Sequence, residues 1–126
     1  LLLHAAEFTG PPEATDSRSW ATYLRCRRHI ETHAETLHSL AEVAGICAIS
    51  EAYLCRIFRR YHRLSPYRFL INCRMSHAAS LLVLPALLVK DVAIRLGFEN
   101  PYHFSKVFKR VHGLPPEEFR RQRWRN

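Results

Sequence analysis

A chain of 126 residues, 48% of them hydrophobic, is long enough for one compact domain or two small lobes with cores of their own. It carries 19 Lys and Arg against 11 Asp and Glu, with every cation after residue 17, so the first 17 residues hold −3 and the remainder +11. That basic body suits a polyanion, either nucleic acid or an anionic membrane surface, while four glycines and no nucleophile–base pair, phosphate loop or paired carboxylates argue against an enzyme and against a bound cofactor.

Leu1-Leu2-Leu3 is too short for the apolar stretch of a signal sequence. The chain opens on Leu rather than Met, so it is expected to be a fragment, with residues 1–16 the linker or tail of a missing N-terminal domain. Gly10-Pro11-Pro12 gives that stretch its linker character. Asp16 or Ser17 can cap a first helix running to about Thr32, with Trp20, Tyr23, Leu24 and Ile30 on its apolar side. Cys26, Cys47, Cys55 and Cys73 form no C-x-x-C pair and read as small buried or half-buried side chains. Cys26, His29 and His33 share a helical face, but no fourth ligand stands near them and no metal is expected.

From here the sequence repeats at an offset of fifty. Phe58 matches Phe108, Arg60 Arg110, His62 His112, Leu64 Leu114, Pro66 Pro116 and Phe69 Phe119. Upstream the offset is forty-nine, pairing Leu40 with Val89, Val43 with Val92 and Ala44 with Ala93, so the second copy has one extra residue in its turn. Each copy has the pattern of a helix, a tight turn and a second helix. In the first, Ser39 and Glu42 suggest a capping box, and Ser50 caps a helix with Leu54, Ile57, Phe58 and Tyr61 on its apolar side. In the second, the turn falls at Gly97-Phe98, Asn100 is the cap, and Pro101 takes the first helical position. Small residues at Ala44 and Ala93 allow the close crossing that a helix-turn-helix needs.

Between the copies, Ser65-Pro66 starts a helix expected to run to about Leu84, where Pro85 ends it. Roughly twenty residues at about 1.5 Å each span about 30 Å, close to the ~34 Å between successive major grooves on one face of B-DNA. The expected organisation is a first helix-turn-helix over 17–64, a linker helix over 65–84 and a second helix-turn-helix over 85–126. The apolar run Leu81–Val89 is too short to span a membrane, and core packing is its preferred reading.

The outward face of each second helix has short side chains with interspersed cations: Ala52, Cys55, Arg56 and Arg59, then Tyr102, Ser105, Lys106 and Lys109. Arg56 and Lys106 can donate to guanine O6 and N7, Ala52 or Cys55 can lie against a thymine methyl, and Ser105 can bond either base edge. Arg59, Arg60, Lys109 and Arg110 are placed for phosphate, as are the helix amino ends at Ser50 and Asn100. Arg120, Arg121, Arg123 and Arg125 around Trp124 read equally as phosphate contacts or as a solvated tail. A helical protein-interaction module, or a non-specific nucleic-acid-binding one, is the alternative; no aromatic sheet motif of the RNA-binding type is present.

These residues resemble the AraC/XylS family of transcription regulators over Leu37 to Arg120. The resemblance is carried by Leu40-Ala41-Glu42-Val43-Ala44, Ile49-Ser50, Tyr53–Phe58 and Leu64-Ser65-Pro66 in the first half. In the second it is carried by Val89–Ala93, Leu96–Asn100, Tyr102–Lys109 and His112–Pro116. It implies an all-α fold of about seven helices, with two helix-turn-helix subdomains joined by a long helix, binding double-stranded promoter DNA and commonly activating transcription. The base-reading positions it implies are Ala52, Cys55 and Arg56, then Pro101, Tyr102, Ser105 and Lys106. It further implies an N-terminal effector-binding and dimerising domain and a bacterial, cytoplasmic, nucleoid-associated protein with no membrane association; contact with that missing domain or with RNA polymerase is the alternative to core packing for the apolar residues Leu84, Pro85 and Leu88. Three departures stand out: Arg63 where the family has glycine, which suggests left-handed strain; Pro115 in place of a Ser cap; and apolar Leu84, Pro85 and Leu88 before the fifth helix.

Overall fold

The computed structural model describes residues 17–125, which form seven α-helices and no strand, so the fold is all-α. The expected linker at residues 1–16 lies outside the described residues. The helices are α1 (Ser17–Thr32), α2 (Leu40–Ile46), α3 (Glu51–Tyr61), α4 (Pro66–Leu82), α5 (Val89–Arg95), α6 (Pro101–His112) and α7 (Pro116–Arg125). They sort into two compact units whose boundary, Leu70 to Ile71, falls inside α4 rather than at its ends.

In the first unit α1 presents Tyr23, Cys26 and Ile30 to a core completed by Val43, Ala44, Leu54, Ile57, Phe58, Tyr61 and Phe69. Leu24, expected on that face, is exposed instead. Ser39 Oγ accepts the Glu42 N–H at 3.2 Å, but the Glu42 carboxylate reaches past Ser39 to the His38 N–H at 2.6 Å. The capping box is therefore shifted by one residue. Ser50 Oγ accepts the Tyr53 N–H at 3.0 Å and fixes the start of α3.

Helix α3 leaves through His62, which is extended at φ −141°, ψ 151° and buried, its Nδ1 2.7 Å from the Tyr23 hydroxyl. This exit needs no left-handed residue, and the strain expected at Arg63 is not there. It lies in the turn after α2: among the described residues Ala48 is the one non-glycine with positive φ, at 61°. A Cβ in that region costs roughly 1 kcal/mol. Ala48→Gly is thus expected to stabilise the first unit by about 1 kcal/mol, less the extra entropy of a glycine in the unfolded chain. Urea denaturation checks this; a loss of stability would mean that the turn holds Ala48 by its methyl group.

In the second unit, Met75, Ala78, Leu81 and Leu82 of α4 form one core with Val92, Ala93, Leu96, Phe104, Val107 and Phe108. Helix α4 stops at Leu82, two residues short of the expected end, because Leu84 precedes a proline and is disfavoured in helical conformation. Beyond it Leu84 and Leu88 are 46% and 54% exposed and Pro85 is exposed as well, so core packing fails as their explanation; Leu87 alone of that loop leans on the core. Leu88, the residue before α5, has no oxygen to cap with, and its own N–H is accepted by Asp91 at 2.9 Å. Asn100 Oδ1 accepts the Tyr102 N–H at 2.8 Å, and α6 ends on left-handed Gly113 at φ 89°. Helix α7 starts on Pro116 although Pro115 supplies no side-chain cap; the Pro115 carbonyl accepts the Phe119 N–H at 2.9 Å.

Candidate nucleic-acid interface

The two turns that set the second helix of each unit have matching backbone hydrogen bonds. In the first, Cys47, Ala48 and Ile49 donate to Val43, Gly45 and Ala44 at 3.0, 3.2 and 3.0 Å. In the second, Leu96, Gly97 and Phe98 donate to Val92, Ile94 and Ala93 at 3.0, 2.9 and 2.9 Å. Ala48 and Gly97 take the same left-handed step, at φ 61° and 85°. The register holds at forty-nine through Ile49 and Phe98 and becomes fifty at Ser50 and Asn100, so the extra residue of the second copy is Glu99.

Behind each turn an aromatic cluster locks the inner face of the second helix. Phe58, His62 and Phe69 pack with ring centroids 5.0 to 5.8 Å apart, and Phe108, His112 and Phe119 pack at 4.3 to 5.6 Å. The matched histidines also tie these helices to the helix that precedes each helix-turn-helix: His62 meets Tyr23 of α1, and His112 Nε2 lies 2.9 Å from the Met75 carbonyl of α4. With the inner faces fixed, the outer ones are free to meet a partner.

On α3, Ser50, Ala52, Arg56, Arg59 and Arg60 are exposed and Cys55 is half-buried. The Arg56 guanidinium sits over the Tyr53 ring, 5.3 Å from its centroid, which holds the exposed side chain against its own helix. On α6 and its cap, Asn100, Pro101, Tyr102, Lys106, Lys109 and Arg110 are exposed and Ser105 is half-buried; Tyr102 is 77% exposed, the largest value among the bulky apolar side chains of the described residues. Each unit thus carries its expected candidates on one outward, cationic helix face.

Other expectations change. Arg120 is neither a phosphate contact nor part of a solvated tail: it is buried, and its guanidinium donates to the Leu82 carbonyl at 2.9 Å, to Leu84 at 3.2 Å and to Leu87. Arg121, by contrast, is exposed and pairs with Glu118 at 2.7 Å. Cys26 is wholly buried; burial and its hydrogen bond to Cys47 push its thiol up to about 12. His29 and His33 stack at 4.3 Å, with burial and the His33 charge lowering His29. Among the described residues no three His, Cys, Asp or Glu side chains could together hold a metal ion, and no helix is long and apolar enough to cross a membrane.

Sequence reasoning missed two arginines. Arg25 of α1 donates to the Cys47 carbonyl at 2.9 Å, and Arg74 of α4 donates to the Leu96 carbonyl while lying over the Phe98 ring. Both the arginines and the carbonyls are forty-nine residues apart, so the repeat extends into α1 and α4, upstream of the pairs that reveal it in the sequence.

A family profile described as a helix-turn-helix domain matches residues 43–122, more than half of the chain. The chain belongs to the AraC/XylS family. It corresponds to the family's C-terminal, helix-turn-helix DNA-binding domain. The helix-turn-helix-type transcriptional regulator YidL of Escherichia coli K12 is 38% identical over 97 residues, covering 71% of this chain, which spans about a third (33%) of YidL's length. The C-terminal domain of AraT, a response regulator from Geobacillus stearothermophilus, is 31% identical with a TM-score of 0.71, over 80% of this chain and 84% of that one. The DNA-binding domain of AdpA, a global transcriptional factor solved in complex with a target DNA, shares the fold at 22% identity and a TM-score of 0.65, over 79% of this chain and 90% of that one.

Proposed function

We propose that this AraC/XylS-type domain reads specific duplex DNA through both units, α3 and α6 each entering a major groove. The observation that carries the reading is the doubled turn, with an exposed cationic face behind it at matched positions in each copy. In this reading Arg56 and Lys106 donate to guanine, Ala52, Cys55, Pro101, Tyr102 and Ser105 meet the remaining base edges, and Ser50, Arg59, Arg60, Asn100, Lys109 and Arg110 meet phosphate. The phosphate contacts supply affinity and salt dependence; the base contacts supply choice. The AdpA domain, similar in fold and solved with a target DNA, supports DNA as the ligand class.

The protein's work is then binding rather than catalysis, at the bacterial chromosome in the cytoplasm. For the whole regulator, an N-terminal effector-binding and dimerising domain and RNA polymerase are the further partners, and activation of transcription is the outcome; these rest on family membership. A gel competition tests the ligand class. Unlabelled DNA duplex should displace a labelled duplex at concentrations where an RNA duplex of equal length does not, because the deep, narrow RNA major groove does not admit a helix. Equal displacement would leave only a basic surface.

A further inference from the structure

The strained turn of the first unit raises the question of what keeps it in place. The peptide between Cys47 and Ala48 joins a residue at φ −82°, ψ −1° to one at φ 61°. Rotating that one peptide plane by half a turn would carry ψ of Cys47 into the extended range and φ of Ala48 back to the ordinary negative side, relieving the Cβ clash. It would also turn the Ala48 N–H away from the Gly45 carbonyl, breaking one of the three backbone hydrogen bonds that set the turn before α3. The carbonyl that would have to swing away is that of Cys47, the one Arg25 holds at 2.9 Å. In the second unit the corresponding step is Leu96 to Gly97; glycine has little preference between the two states, and Arg74 holds the Leu96 carbonyl. The same side chain on the same carbonyl recurs in both units, although one turn is strained and the other permissive.

We propose that Arg25 and Arg74 are positioning residues for duplex reading: each pins the turn peptide of its unit and so preserves the turn hydrogen bonds that seat the reading helix. This rests on the proposed function and goes beyond it, because neither arginine lies on a reading face. A cation is suited to the task, since α2 and α5 each end at this place and turn the negative end of their dipole toward it.

Arg25 gives the cleaner experiment, as it is exposed and its removal opens no core. Binding of this chain to its selected duplex and to a random duplex is measured for the wild type, Arg25→Met and Arg25→Lys, well below the unfolding temperature. Arg25→Met should lose about tenfold on the selected duplex, the size of one base contact, with preference relaxed only in the half read by α3. Random-duplex affinity should change far less. Arg25→Lys, which keeps a donor, should restore most of the loss, and Ala48→Gly placed in the Met variant should restore part of it by removing the drive to flip. Equal losses on both duplexes would make Arg25 a phosphate contact, and unchanged selective binding would make the hydrogen bond structural only; either overturns the inference. A wild type that selects no duplex sinks the proposed function itself, whereas a selecting wild type with an indifferent Met variant sinks this inference alone.

Discussion

Arg120→Ala is expected to destabilise the second unit by about 3 kcal/mol in urea denaturation. The side chain is buried and satisfies the carbonyls of Leu82, Leu84 and Leu87, where α4 has ended and the chain turns into the loop before α5. A hydrogen bond from a charged donor contributes about 1.5–3 kcal/mol, and a buried carbonyl left without a donor costs further. The three acceptors act as a unit, so their contributions do not simply add. Arg121→Ala, one residue on, should change stability by less than about 0.5 kcal/mol, because its pair with Glu118 is exposed. If the two variants behaved alike, Arg120 would belong after all to a solvated tail.

Arg56→Ala and Lys106→Ala should each cost about 1–3 kcal/mol on the selected duplex and relax sequence preference in that residue's own half. Arg56 is the stronger case. Its guanidinium is already held over Tyr53, so less side-chain freedom is lost when it docks, and its planar fork matches both guanine acceptors. Lys106 is exposed on a flexible stem and donates as a point charge, so its loss should fall at the lower end. Titration against selected and random duplexes at several salt concentrations separates the alternatives. A phosphate contact would weaken both duplexes alike and shallow the salt slope by about one.

Much of this was legible in the residues. The repeat places both turns, and the caps at Ser50, Ser65 and Asn100, with Pro66 at the first helical position, start their helices where the sequence predicts, because side-chain oxygens and a proline ring act locally. Ala44 and Ala93 at the helix crossings are likewise read from their size. What escaped the sequence is long-range. Nothing local to Arg120 says that it will find three carbonyls more than thirty residues upstream, and in a run of arginines it looks like its neighbours. Arg25 and Arg74 escaped for a similar reason: α1 and the second half of α4 have little sequence in common, since Met75 stands for Cys26 and Ala79 for Ile30, and only the shared partner carbonyl reveals the match. The misplaced strain has a different cause. Gly113 invites the expectation that its counterpart Arg63 is left-handed, yet burial of His62 against Tyr23 and Phe69 gives α3 another way out. The left-handed alanine at position 48 has its counterpart in Gly97, which marks the turn in the second copy.

Selection of bound duplexes from a random library, with this chain at moderate salt, tests the central claim most directly. Two short enriched boxes about one helical turn apart, one lost with Arg56→Ala and the other with Lys106→Ala, is the result expected if both units read sequence. A single box would contradict reading by both units, and no enrichment, with binding abolished by a modest rise in salt, would contradict sequence reading altogether.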